Sequence, residues 1–401
     1  MLKEVVLAAG TRTAIGGFQG ALAEVPAPQL AAVAIRGALA RAAVSPEQVD
    51  EVIVGNAIGA GLGQNVARQA ALGAGLPAGV GATTVNKVCG SGLKAVMMAA
   101  QAIQCGDAQL VVAGGTENMT RAPYLLPKAR GGYRLGHGEI VDSLVRDGLW
   151  DVYNDLHMGS CGDRCAEREG ISRQQQDDFA VASYRRALES QAKGWSAEEI
   201  VPVEIAGRKG AVIVDRDEEP GRFVEEKLRA LKPAFDPKGT VTAGNASSIN
   251  DGAAAVVVLS RKKAEKLAVR PMARVLGYAT FSREPEWFTL APIGAMGRLL
   301  DQLRLKVEDV DLFEINEAFA VVPLAAMKCM NIPHEKVNVH GGAVALGHPI
   351  GCSGARVLVS LLHALARRGG RIGVASLCIG GGEAVAMAVE RILSSASIGQ
   401  P

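Results

Sequence analysis

The sequence predicts an α/β protein made of two similar halves, with a third segment inserted into the first. Three observations carry this prediction. Blocks from the first part of the chain recur about 260 residues later. Apolar runs that end in glycine alternate with stretches of helical period. The residues from 121 to 242 have a texture unlike either copy.

Taken in order, the opening "MLKEVVLAAGTRT" reads as an apolar strand. "VDEVIVGNA" from Val49 matches "VDLFEINEA" from Val310, each a strand leading into polar residues, and a helix is expected near "NVARQAALGAG". "CGSGLKAV" from Cys89 and "GCSGARVL" from Gly351 share a Ser-Gly that opens a helix. In the first of these, Leu93, Val96, Met97, Ala100 and Ile103 recur at helical spacing, and Gly106 suits the C-terminal cap. Gly92, Ala95, Ala99, Ala100 and Ala102 suit a helix packed closely on all sides. "AQLVVAGGTE" from Ala108 and "GRIGVASLCIGGGE" from Gly370 are apolar strands running into glycines. Such uniformly apolar strands belong to a sheet covered on both faces. "INDGAAAVVVLS" from Ile249 and "IGGGEAVAMAVE" from Ile379 also match, but at only about half the repeat distance. An insertion therefore interrupts the first copy before its last strand. The expected boundaries are 1–120 with 243–270 for the first half, 121–242 for the insertion and 271–401 for the second half. Within the insertion, "MTRAPYLLPKARGGYRLG" and "RDEEPGRFVEEKLRALKPAFDPKG" are rich in Pro, Arg and Glu, while "ISRQQQDDFAVASYRRALES" reads as an amphipathic helix capped by Ser172. Such an insertion usually builds a lid or a substrate-facing surface.

Composition narrows the function classes. The chain has 401 residues, 48% of them hydrophobic and 21% charged, enough for a sizeable core in two or three domains. A net charge of +2 gives no signature of nucleic-acid or membrane partners, and no apolar run is long enough to span a bilayer. The strand-like start carries no leader pattern, and the seven cysteines are irregularly spaced, so reduced thiols in the cytoplasm are expected. "CGDRC", Cys161 to Cys165, has no second pair at zinc-like spacing, and neither a phosphate loop nor a dinucleotide fingerprint is present.

Four polar groups fall at strand ends or helix starts. Cys89 sits where a helix begins, so exposed N–H groups and the helix dipole favour a thiolate there. It also fits a role as a small buried packing residue. Gly90 and Gly92 would let a substrate carbonyl approach the backbone. His348, in "GHPIGCSG", precedes the equivalent turn of the second copy and would reach Cys89 as a general base if the halves face each other. A histidine hydrogen-bonded in a tight turn is the competing reading. Cys378 ends a strand running into three glycines, and Asn316 with Glu317 ends another, a pair suited to holding a water or a carbonyl oxygen.

Together "NKVCGSGLKAV", "AGNASSINDGAA", "EINEAFA", "NVHGGAVALGHPIGCSGAR" and "CIGGGEA" resemble the thiolases of acetyl-CoA acetyltransferase type, nearly end to end. The resemblance implies two pseudo-symmetric βαβαβαββ halves in an α/β/α/β/α layering, with an inserted loop domain. It implies reversible Claisen condensation of two acetyl-CoA to acetoacetyl-CoA and CoA through a cysteine acyl-enzyme. Cys89 would be the nucleophile, His348 its activating base and Cys378 the proton carrier at the α-carbon. Asn316, through a water, would join His348 in one oxyanion hole, and the N–H groups of Cys89 and Gly380 would form another. His157 and Met158 of "DLHMG", with Phe235, Ser247, Ala318 and Phe319, would line the coenzyme A tunnel, and Arg222 would lie near the adenine. Coenzyme A is then a substrate and product, with no cofactor and no metal. Partners would be acetyl-CoA, 3-ketoacyl-CoA and further copies of the chain in a homotetramer, with Tyr124 to Gly136 a candidate contact. His340 stands where many thiolases have Asn. The alternative activity is that of a broader-chain 3-ketoacyl-CoA thiolase of fatty-acid β-oxidation. A decarboxylating ketoacyl synthase is disfavoured by Cys378, and an inert acyl-CoA-binding scaffold by the full set of polar groups.

Overall fold

The structure is a computed structural model and describes residues 2–207 and 210–392. Five strands of the first half are β1 (Val5–Arg12), β2 (Glu51–Gly55), β3 (Gly81–Val85), β4 (Leu110–Asn118) and β5 (Asn250–Ser260). They lie in the order β3-β2-β4-β5-β1. The second half has β6 (Ala273–Ser282), β7 (Leu312–Ile315), β8 (Ile372–Ile379) and β9 (Glu383–Arg391), in the order β7-β8-β9-β6. Relative to the repeats the two orders are the same. In the second half the counterpart of β3 is reduced to a single parallel bridge between Phe313 and Val337. Pairs β2–β3, β2–β4 and β7–β8 are parallel; β4–β5, β5–β1, β8–β9 and β9–β6 are antiparallel. The halves join at β1 and β6 through only two residue pairs, Val6 with Arg274 and Leu7 with Ala273.

Side chains alternate along each strand and so divide the core into layers. Val6, Val112 and Val257 pack outward against α1 (Ala27–Ala42) and α2 (Val66–Gly73). Leu7, Val111 and Val256, with Leu377, Val385 and Met387 of the second half, face inward onto α3 (Ser91–Cys105). The outer face of the second half, with Val374 and Ala386, will be covered by two further helices named below. The five positions predicted for the apolar face of α3 are all buried, and Gly106 closes it at φ 99°. Strands β4 and β5 are buried at every residue, whereas β3 is a mostly exposed edge.

The insertion lies between β4 and β5. It holds α4 (Met158–Glu169), α5 (Arg173–Ala192) and three short two-stranded ribbons. The α5 start is a capping box: Ser172 Oγ accepts from Gln175 N–H at 3.2 Å, and Gln175 Oε1 accepts from Ser172 N–H at 2.8 Å. The insertion is fastened to β1 by a buried charge cluster in which Arg12 Nε meets Glu199 at 2.8 Å and Nη1 meets Asp217 at 2.7 Å. Three buried charges persist there because each is paired and hydrogen-bonded. Cys161 and Cys165 are buried on α4 within the core of the second half, and among the described residues no group of three or more His, Cys, Asp or Glu is arranged to hold a metal ion.

The second half continues with α6 (Ala291–Leu303) and α7 (Val321–Met330), which cover its outer face, and α8 (Ile350–Arg368), which lies in the central layer beside α3. The helices of the central layer approach backbone to backbone. A Cβ on Gly92 would stand 2.6 Å from Ala355 N, and one on Gly354 would stand 2.3 Å from Leu93 N. Five layers, α/β/α/β/α, result. No described helix is long and apolar enough to cross a membrane.

Candidate active site

The turn from β3 into α3 carries Cys89. Its geometry is pinned by local polar contacts: Asn86 Oδ1 accepts from Val88 N–H at 2.9 Å, and Ser91 Oγ accepts from Lys87 N–H at 2.8 Å while donating to Val88 O at 2.6 Å. Val88 has φ 46°, an unusual conformation for a β-branched residue. A Cβ on Gly90 would stand 2.4 Å from Ile379 Cδ1, so this glycine admits the end of β8. Gly92 admits α8. Both glycines thus face protein, which corrects the expectation that they clear a path for substrate.

Cys89 is 8% exposed and opens into an apolar cavity of about 360 Å³. Burial pushes its thiol up to about 11; hydrogen bonds from the backbone N–H groups of Gly380 and of Cys89 itself pull the other way. The helix start does not therefore yield a resting thiolate. Desolvation outweighs it, because the sulfur sits two residues ahead of α3 and inside the core.

His348 lines the same cavity. Its backbone N–H donates to Asn250 Oδ1 at 3.0 Å, and the following Pro349 leads into α8. Nδ1 lies 2.6 Å from Ser353 Oγ, whose own proton goes to Pro349 O at 2.9 Å. A hydroxyl so committed accepts from Nδ1–H, which leaves Nε2 as the basic nitrogen. Nε2 is buried and has no hydrogen-bond partner among the described residues. Burial, and then the charge of Arg356, push the imidazole down to about 3.

Asn316 follows β7, and its backbone N–H donates to Ser376 O at 2.9 Å. Its Nδ2 lies 3.5 Å from His348 Nδ1. Its neighbour Glu317 points elsewhere, accepting from Ser183 Oγ at 2.7 Å, Asn338 Nδ2 at 2.8 Å and Val344 N–H at 3.0 Å. The pair expected to act together is split: Asn316 joins His348, and Glu317 ties the insertion to the second half. Cys378 is fully buried on β8; burial raises its thiol well above the ordinary value, and the nearby Cys89 adds to the effect. Gly380 follows β8 and adjoins Met158, whose Cε and Sδ would lie 3.5 Å from a Cβ there.

Of the remaining expected site residues, His157, Met158, Phe235, Ser247, Ala318 and Phe319 line the cavity with Cys89. The His157 ring stacks on Phe235 at 4.6 Å and its Nδ1 caps α4 by accepting from Gly159 N–H. Ser247 donates to Ala318 O from both its backbone N–H and its Oγ, each at 3.0 Å. Arg222 does not line the cavity; it is an exposed side chain paired with Glu219 at 2.8 Å and Glu218 at 3.6 Å. Met119, Leu149 and Phe288 also line the cavity and have no marker in the sequence. Ser353 and Arg356 were within reach of sequence reasoning: an arginine inside "GARVLVSLL" is out of place in a buried helix unless it has a partner.

Comparison with known proteins identifies the family and agrees with the fold. The family model described as "Thiolase, N-terminal domain" matches residues 5–262, and "Thiolase, C-terminal domain" matches residues 269–391. The chain is similar to an acetyl-CoA acetyltransferase of Cupriavidus necator, 53% identical over 395 residues that cover 97% of this chain and 100% of that protein. It is 51% identical to an acetyl-CoA acetyltransferase of Pseudomonas aeruginosa, over 97% of this chain and 100% of that one. The crystal structure of the Bacillus anthracis acetyl-CoA acetyltransferase superposes with a TM-score of 0.95 at 43% identity, covering 98% of this chain and 99% of that one.

Proposed function

Because the chain belongs to the thiolase family, we propose that it is an acetyl-CoA C-acetyltransferase, joining two acetyl-CoA into acetoacetyl-CoA and CoA and running the reaction in reverse when CoA is abundant. The observation that carries this reading is that Cys89 and His348, whose Nε2 has no hydrogen-bond partner among the described residues, line one apolar cavity. In the first half-reaction the Cys89 sulfur attacks the acetyl-CoA carbonyl, its proton passes to His348 Nε2, and CoA takes a proton from Cys378 and leaves as a thiol, so that Cys378 remains as a thiolate beside the imidazolium. One thioester replaces another, so little free energy is lost. In the second, the Cys378 thiolate takes a proton from the methyl carbon of a second acetyl-CoA, the resulting enolate attacks the acetyl-Cys89 carbonyl, and Cys89 leaves as a thiolate that regains its proton from His348.

Burial keeps both the thiol and the imidazole neutral at rest. Proton transfer creates opposite charges side by side in a low-dielectric pocket, where their attraction offsets much of the desolvation cost. Asn316, through a water, and His348 are assigned to one oxyanion hole; the N–H groups of Cys89 and Gly380 are assigned to the other. Each such donor is typically worth about 3–4 kcal/mol in the transition state. His157, Met158, Phe235, Ser247, Ala318 and Phe319 are assigned to the coenzyme A arm. Arg222 is assigned to the adenine end, from its place outside the cavity.

The names of the relatives and the modest cavity favour short acyl groups over long ones. A cytoplasmic homotetramer is part of the same reading. The open edge of β3 and the exposed Tyr124, Leu126 and Leu135 beside the first ribbon support self-association. The residues assigned to the two halves and the insertion keep the boundaries given by the repeats. The test is incubation with radiolabelled acetyl-CoA followed by peptide mapping, alongside cleavage of acetoacetyl-CoA and of a long-chain 3-ketoacyl-CoA. Label on the Cys89 peptide and preference for acetoacetyl-CoA are expected. Label elsewhere, or a strong long-chain preference, would overturn the assignment.

A further inference from the structure

Arg356 lies on α8 and is 1% exposed, a costly place for a guanidinium. Its apparent counter-ion does not account for it. Arg356 Nη1 and Glu314 Oε2 are 3.9 Å apart, and among the described residues neither Nη1 nor either Glu314 oxygen has a hydrogen-bond partner. A buried ion pair retained for stability is normally closed by hydrogen bonds. The bond that is made goes to the site: Nη2 donates to Asn316 Oδ1 at 3.0 Å.

We infer that Arg356 is a positioning residue for the Asn316–His348 pair, fixing which end of the Asn316 amide faces the imidazole. The inference rests on the roles proposed above for those two residues. A guanidinium can only donate, so the amide must turn its oxygen toward Arg356 and its NH₂ toward His348. With the NH₂ there, Asn316 can donate to a water or an oxyanion; flipped, it would present an oxygen to developing negative charge.

The fixed charge has a second effect. Of the other titratable groups nearby, Cys89 shares the cavity with His348, Glu117 at the end of β4 binds Gly351, Cys352 is buried on α8, and Glu314 lies on the far side of Arg356. Glu117 accepts from Gly351 N–H at 2.8 Å and is pushed up to about 7 by burial; Glu314 is pushed up to about 8 in the same way. Arg356 is thus the permanent cation facing the imidazole, and it disfavours the imidazolium until the thiolate forms beside it.

Arg356→Gln and Arg356→Lys in the full chain test the inference through two readouts. These are acetoacetyl-CoA cleavage and the pH profile of Cys89 alkylation by iodoacetamide. The Gln variant removes the charge and lets the amide turn, so kcat should fall by roughly 10- to 100-fold with KM changed far less. Its alkylation profile should move its acidic limb upward, since loss of a nearby positive charge makes every proton harder to remove. The Lys variant keeps donor and charge, and should hold the limb and much of kcat. Unchanged kcat and limb in the Gln variant would overturn the inference, as would equal losses in both variants with an unmoved limb. Should the Gln variant not fold, Glu314→Gln decides. Near-normal kcat there supports the Asn316 contact, and a loss as large as roughly 10-fold assigns Arg356 to the ion pair instead. A wild-type chain that does not cleave acetoacetyl-CoA refutes the thiolase assignment, and the alkylation profiles still decide the role of Arg356.

Discussion

Ser353 Oγ stands between His348 Nδ1, at 2.6 Å, and the Pro349 carbonyl oxygen, at 2.9 Å, and so fixes the tautomer of the imidazole. Without it, Nδ1–H loses its acceptor and the proton is free to move to Nε2, where it blocks the base. Ser353→Ala should lower kcat about tenfold, the equivalent of one hydrogen bond of about 1.4 kcal/mol. The unfolding free energy should change by no more than about that amount. Steady-state thiolysis beside urea unfolding separates the two; an undiminished kcat would contradict the tautomer assignment.

The pH dependence of stability carries the mark of His348. Its folded value of about 3 lies below the ordinary 6.5, so the unfolded chain takes up the proton first as pH falls. The stability due to a neutral buried His348 is full above pH 6.5 and is lost on acidification toward 3. Glu117 runs the other way: raised from 4.5 to about 7, it contributes fully below 4.5 and loses its share as pH rises through 7. His348→Gln removes the first contribution alone. The difference between wild type and variant should therefore shift against the wild type below pH 6.5, by up to about 1.4 kcal/mol per pH unit. Denaturant titrations at several pH values measure it, and parallel pH profiles would rule it out.

Gly92→Ala tests the helix crossing. The added carbon would meet Ala355 N at 2.6 Å and Gly351 O at 3.0 Å, both backbone atoms that no side-chain rotation can relieve. The central helices must separate, at a cost of roughly 1–3 kcal/mol. Since α3 follows Cys89 and α8 follows His348, activity should fall further than stability. Equal retention of both would show that the crossing has slack.

Much of this was readable from the chain. Repeats located six strands of the main sheet in three matching pairs, and apolar spacing found the buried face of α3, because both signals are local. The cavity lining contributed by Phe288 was invisible, since it depends on which loop of the second half lies over α4. The protonation state of Cys89 was misjudged for a related reason. A helix start is written in sequence, but desolvation depends on how completely the rest of the chain encloses the sulfur. Glu317 was paired with Asn316 because both follow a strand end, and that place does not report which hydrogen-bond partner a side chain meets.

Val88 offers a different test. A β-branched residue at φ 46° carries strain of roughly 1–2 kcal/mol, which glycine would release while adding about 1 kcal/mol of unfolded-state freedom. Val88→Gly should thus leave stability within about 1 kcal/mol of wild type. The acylation rate should still fall severalfold, because the turn no longer holds the sulfur in one orientation. Stopped-flow acetylation against thermal melting distinguishes this from a general loosening, in which both would drop.

The groups proposed to react are drawn unequally from the two repeats: Cys89 from the first, and Asn316, His348 and Cys378 from the second. At the position matching Cys89 the second repeat has Gly351, whose N–H is bound to Glu117. A doubled architecture would by symmetry offer two centres, yet here one has been silenced and its place turned into a brace. A lone repeat would own only a fragment of the machinery. Neither repeat alone therefore holds the proposed set of groups, and the covalent link between them keeps that set together.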